Sequence, residues 1–142
     1  MTNIMVATDG SKGACRAIDV AADLARALSC DLLIVTVADR LLGEEVRQLP
    51  HTGASPSDLL EAFTGQTLKA AEARARELGL SRIEVRTCWG DVTQCLIDLA
   101  TTTSARMIVV GRRGRGQLAG LLLGSVSHKV VSLAPCAVVV VP

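Results

Sequence analysis

The sequence predicts a single α/β domain in which a parallel β-sheet is covered by helices on both faces. Short runs rich in Val and Ile alternate along the chain with longer stretches in which apolar residues recur at three- and four-residue steps. The order reads βαβαβαβαβ, with no internal repeat and no linker. The 142 residues are 49% hydrophobic and 20% charged, enough for one core and too apolar for a disordered chain.

Residues 3–8 (NIMVAT) form the first strand. Over residues 11–28, Ala14, Ile18, Ala21, Ala22, Ala25 and Leu28 share one helical stripe, with Ser11 as the N-cap. Residues 31–37 (DLLIVTV) are a buried second strand. Residues 38–56 carry Gly43, Pro50, Gly53 and Pro56 and read as irregular, a connection long enough to act as a lid or binding element or, equally, to be a disordered ornament. A second helix covers residues 57–78 and stops at Gly79. Residues 82–88 (RIEVRTC) alternate as a third strand, Gly90 breaks it, and Asp91 caps a helix over 92–101. Residues 106–110 (RMIVV) are the fourth strand, followed by a glycine-rich loop, a helix over 125–133 and a fifth strand at 136–141 (CAVVVV).

Composition excludes several function classes. The only aromatic residues are Phe63 and Trp89, so there is no stacking set for single-stranded nucleic acid. The purest apolar run is six residues, far short of the roughly 18 that span a bilayer. Asp9 follows closely on an N-terminus without a basic region, so no secretory signal is read and the cytoplasm is expected. Cys15, Cys30, Cys88, Cys95 and Cys136 are an odd set with no C-x-x-C pair, which argues against a disulfide framework or a zinc site and reads as small core residues. His128 and His51 have no partner set for a metal or a triad and read as surface or packing residues.

Charge is unevenly placed. Residues 1–98 hold every acid and net −4, whereas residues 99–142 hold Arg106, Arg112, Arg113, Arg115 and Lys129 and net +5. Three of these bases fall within 112–115, too compact for a duplex-binding stripe and suited to a small phosphorylated ligand or simply to solvent. Gly114 to Ala119 matches the dinucleotide pattern G-x-G-x-x-G/A, but no acid follows Asp98 to hold a ribose, and no Walker loop occurs. A different spacing is more informative: Gly111 and Gly114 are followed, after nine residues that include Leu118, Leu121, Leu122 and Leu123, by Gly124-Ser125 at the start of a helix. Glycines let backbone amides approach a ligand, and a helix N-terminus favours phosphate; the alternative is that Gly124-Ser125 only caps a helix.

That G-x2-G-x9-G-S/T spacing at 111–125, the opening IMVATDGS at 4–11 and the ending SVSHKVVSLAPCAVVVVP at 125–142 resemble the universal stress protein family in its nucleotide-binding branch, over the whole chain in order. The resemblance implies a nucleotide-binding domain over residues 1–142, a doubly wound sheet of order 3-2-1-4-5, and ATP, with or without Mg2+, bound usually without a well-defined reaction. It places Thr8 and Asp9 at the nucleotide, Asp9 near the ribose or a phosphate-bound metal, and Val37 against adenine. It places Val110 and Gly111 at the end of strand four, Arg113 at a position that reaches the nucleotide, Gly114 beside it, and Gly124, Ser125, Val126 and Ser127 at the phosphate. Val92 departs from the Pro common in the family.

The expected function is an ATP-binding stress-response regulator, forming a homodimer through strand 136–141 and binding neither nucleic acid nor membrane. The alternative is a nucleotide-independent dimeric scaffold of the same fold. Without a Walker lysine or an evident base, no catalytic residue is named; Asp9 and the arginines are compatible with slow hydrolysis. Trp89, at a strand end, is weighed as a packing residue or as a reach toward the adenine side, and Cys88 and Cys95 as unreactive.

Overall fold

Successive residues of a strand point to opposite faces of a sheet, and in the strands of this chain other than 83–89 both sets are mostly apolar, so both faces demand a cover. In the structure, a computed structural model that describes residues 2–48, 53, 55–114 and 124–142, helices supply it. The strands are β1 (Asn3–Ala7), β2 (Asp31–Ala38), β3 (Ile83–Trp89), β4 (Met107–Gly111) and β5 (Ala137–Val141). The helices among the described residues are α1 (Lys12–Leu28), α2 (Arg40–Arg47), α3 (Pro56–Glu77), α4 (Val92–Thr102) and α5 (Ser125–Leu133).

All neighbouring strands pair in parallel, in the order β3-β2-β1-β4-β5, the doubly wound arrangement expected. Ile4 and Val6 of β1, Leu32 and Ile34 of β2, and Val109 of β4 pack with Ala17, Ile18, Ala21 and Ala25 of α1 and Leu68, Ala71 and Ala75 of α3. Met5, Leu33, Val35, Ile108 and Val110 face the other way, toward Leu96, Leu99 and Ala100 of α4 and Val130 of α5. The alanine stripe of α1 explains its close seat on the sheet, since side chains that small bring the helix axis near the strands. Burying each of the larger side chains contributes about 1.5–3 kcal/mol, and together they hold the strand ends in place.

The caps follow the sequence closely. Ser11 accepts from the Ala14 amide at 3.2 Å and Asp91 from the Gln94 amide at 2.9 Å. Ser55 caps α3, with Pro56 in its first turn, and Gly79 beyond its end has φ +96°.

Two expectations need correction. Residues 38–56 are not irregular throughout: β2 runs on to Ala38 and α2 follows at once. Gly43 reads as a breaker, yet one glycine costs a helix only about 1 kcal/mol, and Val46, 2% exposed, anchors α2 to the body. The rest of that connection includes residues 49–52 and 54, His51 among them, which lie outside the described residues. The cysteines are not a core set either. Cys30 is buried, Cys15 is exposed on the outer side of α1, and Cys88, Cys95 and Cys136 are half-buried. Their positions follow the helix and strand periods, which outweigh the general preference of free Cys for the interior.

Candidate functional site

In a doubly wound sheet a crevice opens where the chain leaves adjacent strands toward opposite faces. Here β1 and β4 are hydrogen-bonded neighbours; α1 leaves β1 toward one face and α5 follows β4 on the other. At their carboxyl ends lies a cleft of about 220 Å³. Its walls include each residue that the family resemblance places at the nucleotide: Thr8, Asp9, Val37, Val110, Gly111, Arg113, Gly114, Gly124, Ser125, Val126 and Ser127. They also include Arg112 of the basic 112–115 cluster, and Ala7, Ser11, Ala14, Val35, Asp39 and Val92, which sequence reasoning did not place there. For Asp39 and Val92 a signal existed, since each directly follows a strand end or opens a helix.

The cleft has two chemically different ends. Ala7, Val35, Val37, Val92 and Val110 are small or branched apolar residues on the α4 side of the sheet, a slot suited to a flat apolar group. The other end is polar, with Thr8, Asp9, Arg112, Arg113 and the start of α5.

Helices α1, α4 and α5 all begin at this cleft, and their N-termini differ. α1 and α4 are closed by Ser11 and Asp91. α5 begins after Gly124, which has no side chain to accept a hydrogen bond from its first amides. The Gly124 amide donates at 2.7 Å to the Arg112 carbonyl, and the first helical bond runs from His128 N to Gly124 O at 3.0 Å. The amides of Ser125, Val126 and Ser127 are therefore the helix-end donors, in the positive end of the helix field, as an anion requires. Gly124 has φ −71° and ψ 164°, extended backbone open to any residue, so its role is space and not conformation.

The two serines do different work. Ser125 is exposed, and its position at the cleft leaves its hydroxyl accessible to a ligand. Ser127 is 3% exposed, and its hydroxyl donates to the carbonyls of Arg112 at 2.9 Å and of Gly124 at 3.1 Å. These two carbonyls share the single hydroxyl proton, so Ser127 binds loop to helix and offers an anion only its backbone amide as donor. Arg112 also continues the sheet, its amide donating to Val141 O at 2.6 Å.

Asp9 sits across from this loop. Its Oδ1 accepts from the Ser11 amide at 2.9 Å, which fixes the carboxylate at the mouth of α1. Its Oδ2 lies where a side chain on Gly114 would begin, so any other residue at 114 would collide with the carboxylate. This is a close approach that the absence of a Cβ permits.

Other candidates fall elsewhere. Trp89 is 56% exposed and is not among the cleft residues, so it neither reaches the apolar slot nor packs in the core. His128 is exposed on α5. Among the described residues no group of three or more His, Cys, Asp or Glu could hold a metal. Burial raises the thiol pKa of Cys88, Cys95 and Cys136, and Cys95 is raised further by Cys88 and by Asp91 and Asp98, which keeps these thiols protonated. Arg115, the leucines at 118 and 121–123, and the rest of the dinucleotide-like pattern beyond Gly114 lie outside the described residues. No helix among the described residues is long and apolar enough to cross a membrane.

Comparison with known proteins gives one consistent likeness. The profile of the universal stress protein family matches residues 1–142. A universal stress protein of Mycobacterium tuberculosis is 33% identical over 148 aligned positions, covering 97% of this chain and 94% of the relative. Among solved structures, a universal stress protein in complex with cAMP superposes with a TM-score of 0.77 at 29% identity, covering 99% of this chain and 97% of the other. The universal stress protein from Archaeoglobus fulgidus in complex with dAMP does so with a TM-score of 0.73 at 25% identity, covering 100% and 98%.

Proposed function

This chain belongs to the universal stress protein family, and on that premise we propose that it is an adenine-nucleotide-binding regulator of the stress response, taking ATP in the cleft and altering its conformation or partner binding with occupancy. The observation that carries this reading is the start of α5, where three backbone amides meet a polar cleft end without a side-chain cap. The adenine occupies the slot formed by Val35, Val37 and Val92, the ribose lies by Asp9, and the phosphates meet the amides of 125–127, the Ser125 hydroxyl and Arg113. The complexes of family members with cAMP and dAMP support an adenine nucleotide as the ligand class. Mg2+ arrives on the phosphates with Asp9 as its protein carboxylate, in keeping with a metal that uses one or two carboxylates and retains its waters. Five unpaired cysteines suit a reducing compartment, which supports the cytoplasm as the site of action.

The regulator acts as a homodimer through strand 136–141. Supporting this, β5 is an edge of the sheet, and its outer backbone groups invite pairing with another chain. The same edge favours the second reading, a nucleotide-independent dimeric scaffold.

The deciding experiment is to denature freshly purified protein, identify released small molecules by mass spectrometry, and titrate ATP-Mg and AMP by calorimetry. Released or bound adenine nucleotide upholds the first reading. No release and no heat of binding would leave the scaffold.

A further inference from the structure

We propose that Gly13 is a positioning residue for the phosphate end of the cleft, the point on α1 against which the Arg113–Gly114 backbone is set; the proposal rests on the nucleotide reading above.

Gly13 is buried in the first turn of α1. A Cβ built there would lie 2.7 Å from the Arg113 carbonyl oxygen, nearer than a methyl group and a carbonyl oxygen can stand. The contact is returned two residues earlier, at the end of β4: a Cβ on Gly111 would lie 3.0 Å from Gly13 C, 3.1 Å from Gly13 O and 3.3 Å from Ala14 N. The start of α1 and the end of β4 therefore touch backbone to backbone through a pair of glycines. Because the obstructing atoms are main chain, no rotamer change makes room; either the loop or the helix must shift.

The shift has nowhere harmless to go. On one side the Arg112 carbonyl is held by Gly124 N and Ser127 Oγ, which ties it to the start of α5. On the other, Gly114 is pressed against the Asp9 carboxylate. A displaced Arg113 carbonyl moves the peptide that carries Arg113 and Gly114, and with it the wall opposite the α5 amides. Val35, Val37 and Val92 belong to β2 and α4 and would stay in place. Gly13 thus governs the phosphate end and leaves the Val35, Val37 and Val92 side of the apolar end alone.

Helix propensity makes the test discriminating, because it favours Ala over Gly at a helical position while the loop disfavours it here. The experiment compares Gly13→Ala with Gly65→Ala. Gly65 is also in a helix but has nothing within 4 Å of its would-be Cβ. Thermal unfolding and calorimetric titration with AMP and with adenosine are measured for both variants and the wild type. The expected result is a folded Gly13→Ala that binds AMP roughly tenfold more weakly, the loss of about one charge-assisted hydrogen bond, while adenosine affinity stays within about twofold. Gly65→Ala binds both as the wild type does. Unchanged AMP affinity, or equal loss of AMP and adenosine, overturns the proposal. So does a Gly13→Ala that fails to fold beside a folded Gly65→Ala, which would make Gly13 a packing residue. If the wild type itself binds neither ligand, the nucleotide reading fails first and the proposal falls with it; that outcome is read before any variant is compared.

Discussion

The buried Ser127 hydroxyl donates to the Arg112 carbonyl at 2.9 Å and so fastens the loop after β4 to the first turn of α5. The same carbonyl takes the Gly124 amide at 2.7 Å, and the Arg112 amide reaches the edge strand at Val141. The backbone of one residue therefore meets the helix start through its carbonyl and β5 through its amide. Ser125, two residues away and exposed, has no such duty.

The two serines should separate in mutagenesis. Ser127→Ala removes a buried hydrogen bond and is expected to lower stability by about 1 kcal/mol, read by urea denaturation. Ser125→Ala should leave the urea midpoint nearly unchanged and weaken AMP binding roughly tenfold. Equal stability losses in the two variants would contradict this division of roles.

Gly124→Val tests space at the helix start. The backbone there tolerates any residue, so the variant should keep the fold, but Gly124 is buried and a branched side chain would stand at the approach to the amides of 125–127. AMP binding by calorimetry should be lost; retained affinity would move the phosphates elsewhere.

Nucleotides with longer phosphate chains should depend on the cation. Asp9 and Asp39 both line the cleft, and a triphosphate brings further negative charge toward them. Chelating Mg2+ should weaken ATP binding by at least roughly tenfold and AMP binding little, about 1.4 kcal/mol of difference. ATP affinity that ignores the chelator would remove Asp9 from the metal role.

Alkaline pH should destabilise the protein through its thiols. Burial raises the pKa of Cys88, Cys95 and Cys136 above the ordinary thiol value of 9.0. As pH passes that value, the unfolded chain loses these protons first, so stability is full below about pH 9 and falls as pH climbs toward the folded values. Urea midpoints between pH 8 and pH 10 measure the fall, on the order of one pH unit either side of the thiol range. At neutral pH, exposed Cys15 should be alkylated before the other four.

Part of the cleft was legible in the sequence because its determinants are local, whereas Val37, Val126 and Ser127 came only from the family resemblance. Strand ends show as the last residue of an apolar run, and the glycine spacing from 111 to 124 marks close backbone approach without reference to the rest of the chain. Gly13 was not legible, since what makes it necessary is the Arg113 carbonyl, a hundred residues away in sequence and adjacent only through the β1–β4 pairing. α2 escaped for a related reason: Gly43 argues locally against a helix, and only the burial of Val46 argues for one. Ser127 lines the cleft, but its hydroxyl faces inward to the loop, and sequence spacing carries no information on which way a hydroxyl proton points.

The start of α5 lacks the side-chain cap that closes α1, α3 and α4. An anion seated there completes the helix, and so becomes a component of the native state that the unfolded chain does not share. By mass action, a ligand at a hundred times its dissociation constant adds about 2.7 kcal/mol to the folding free energy. The melting temperature of this protein would then rise and fall with the nucleotide supply around it, and its lifetime against proteolysis would follow: a gauge whose reading is its own persistence.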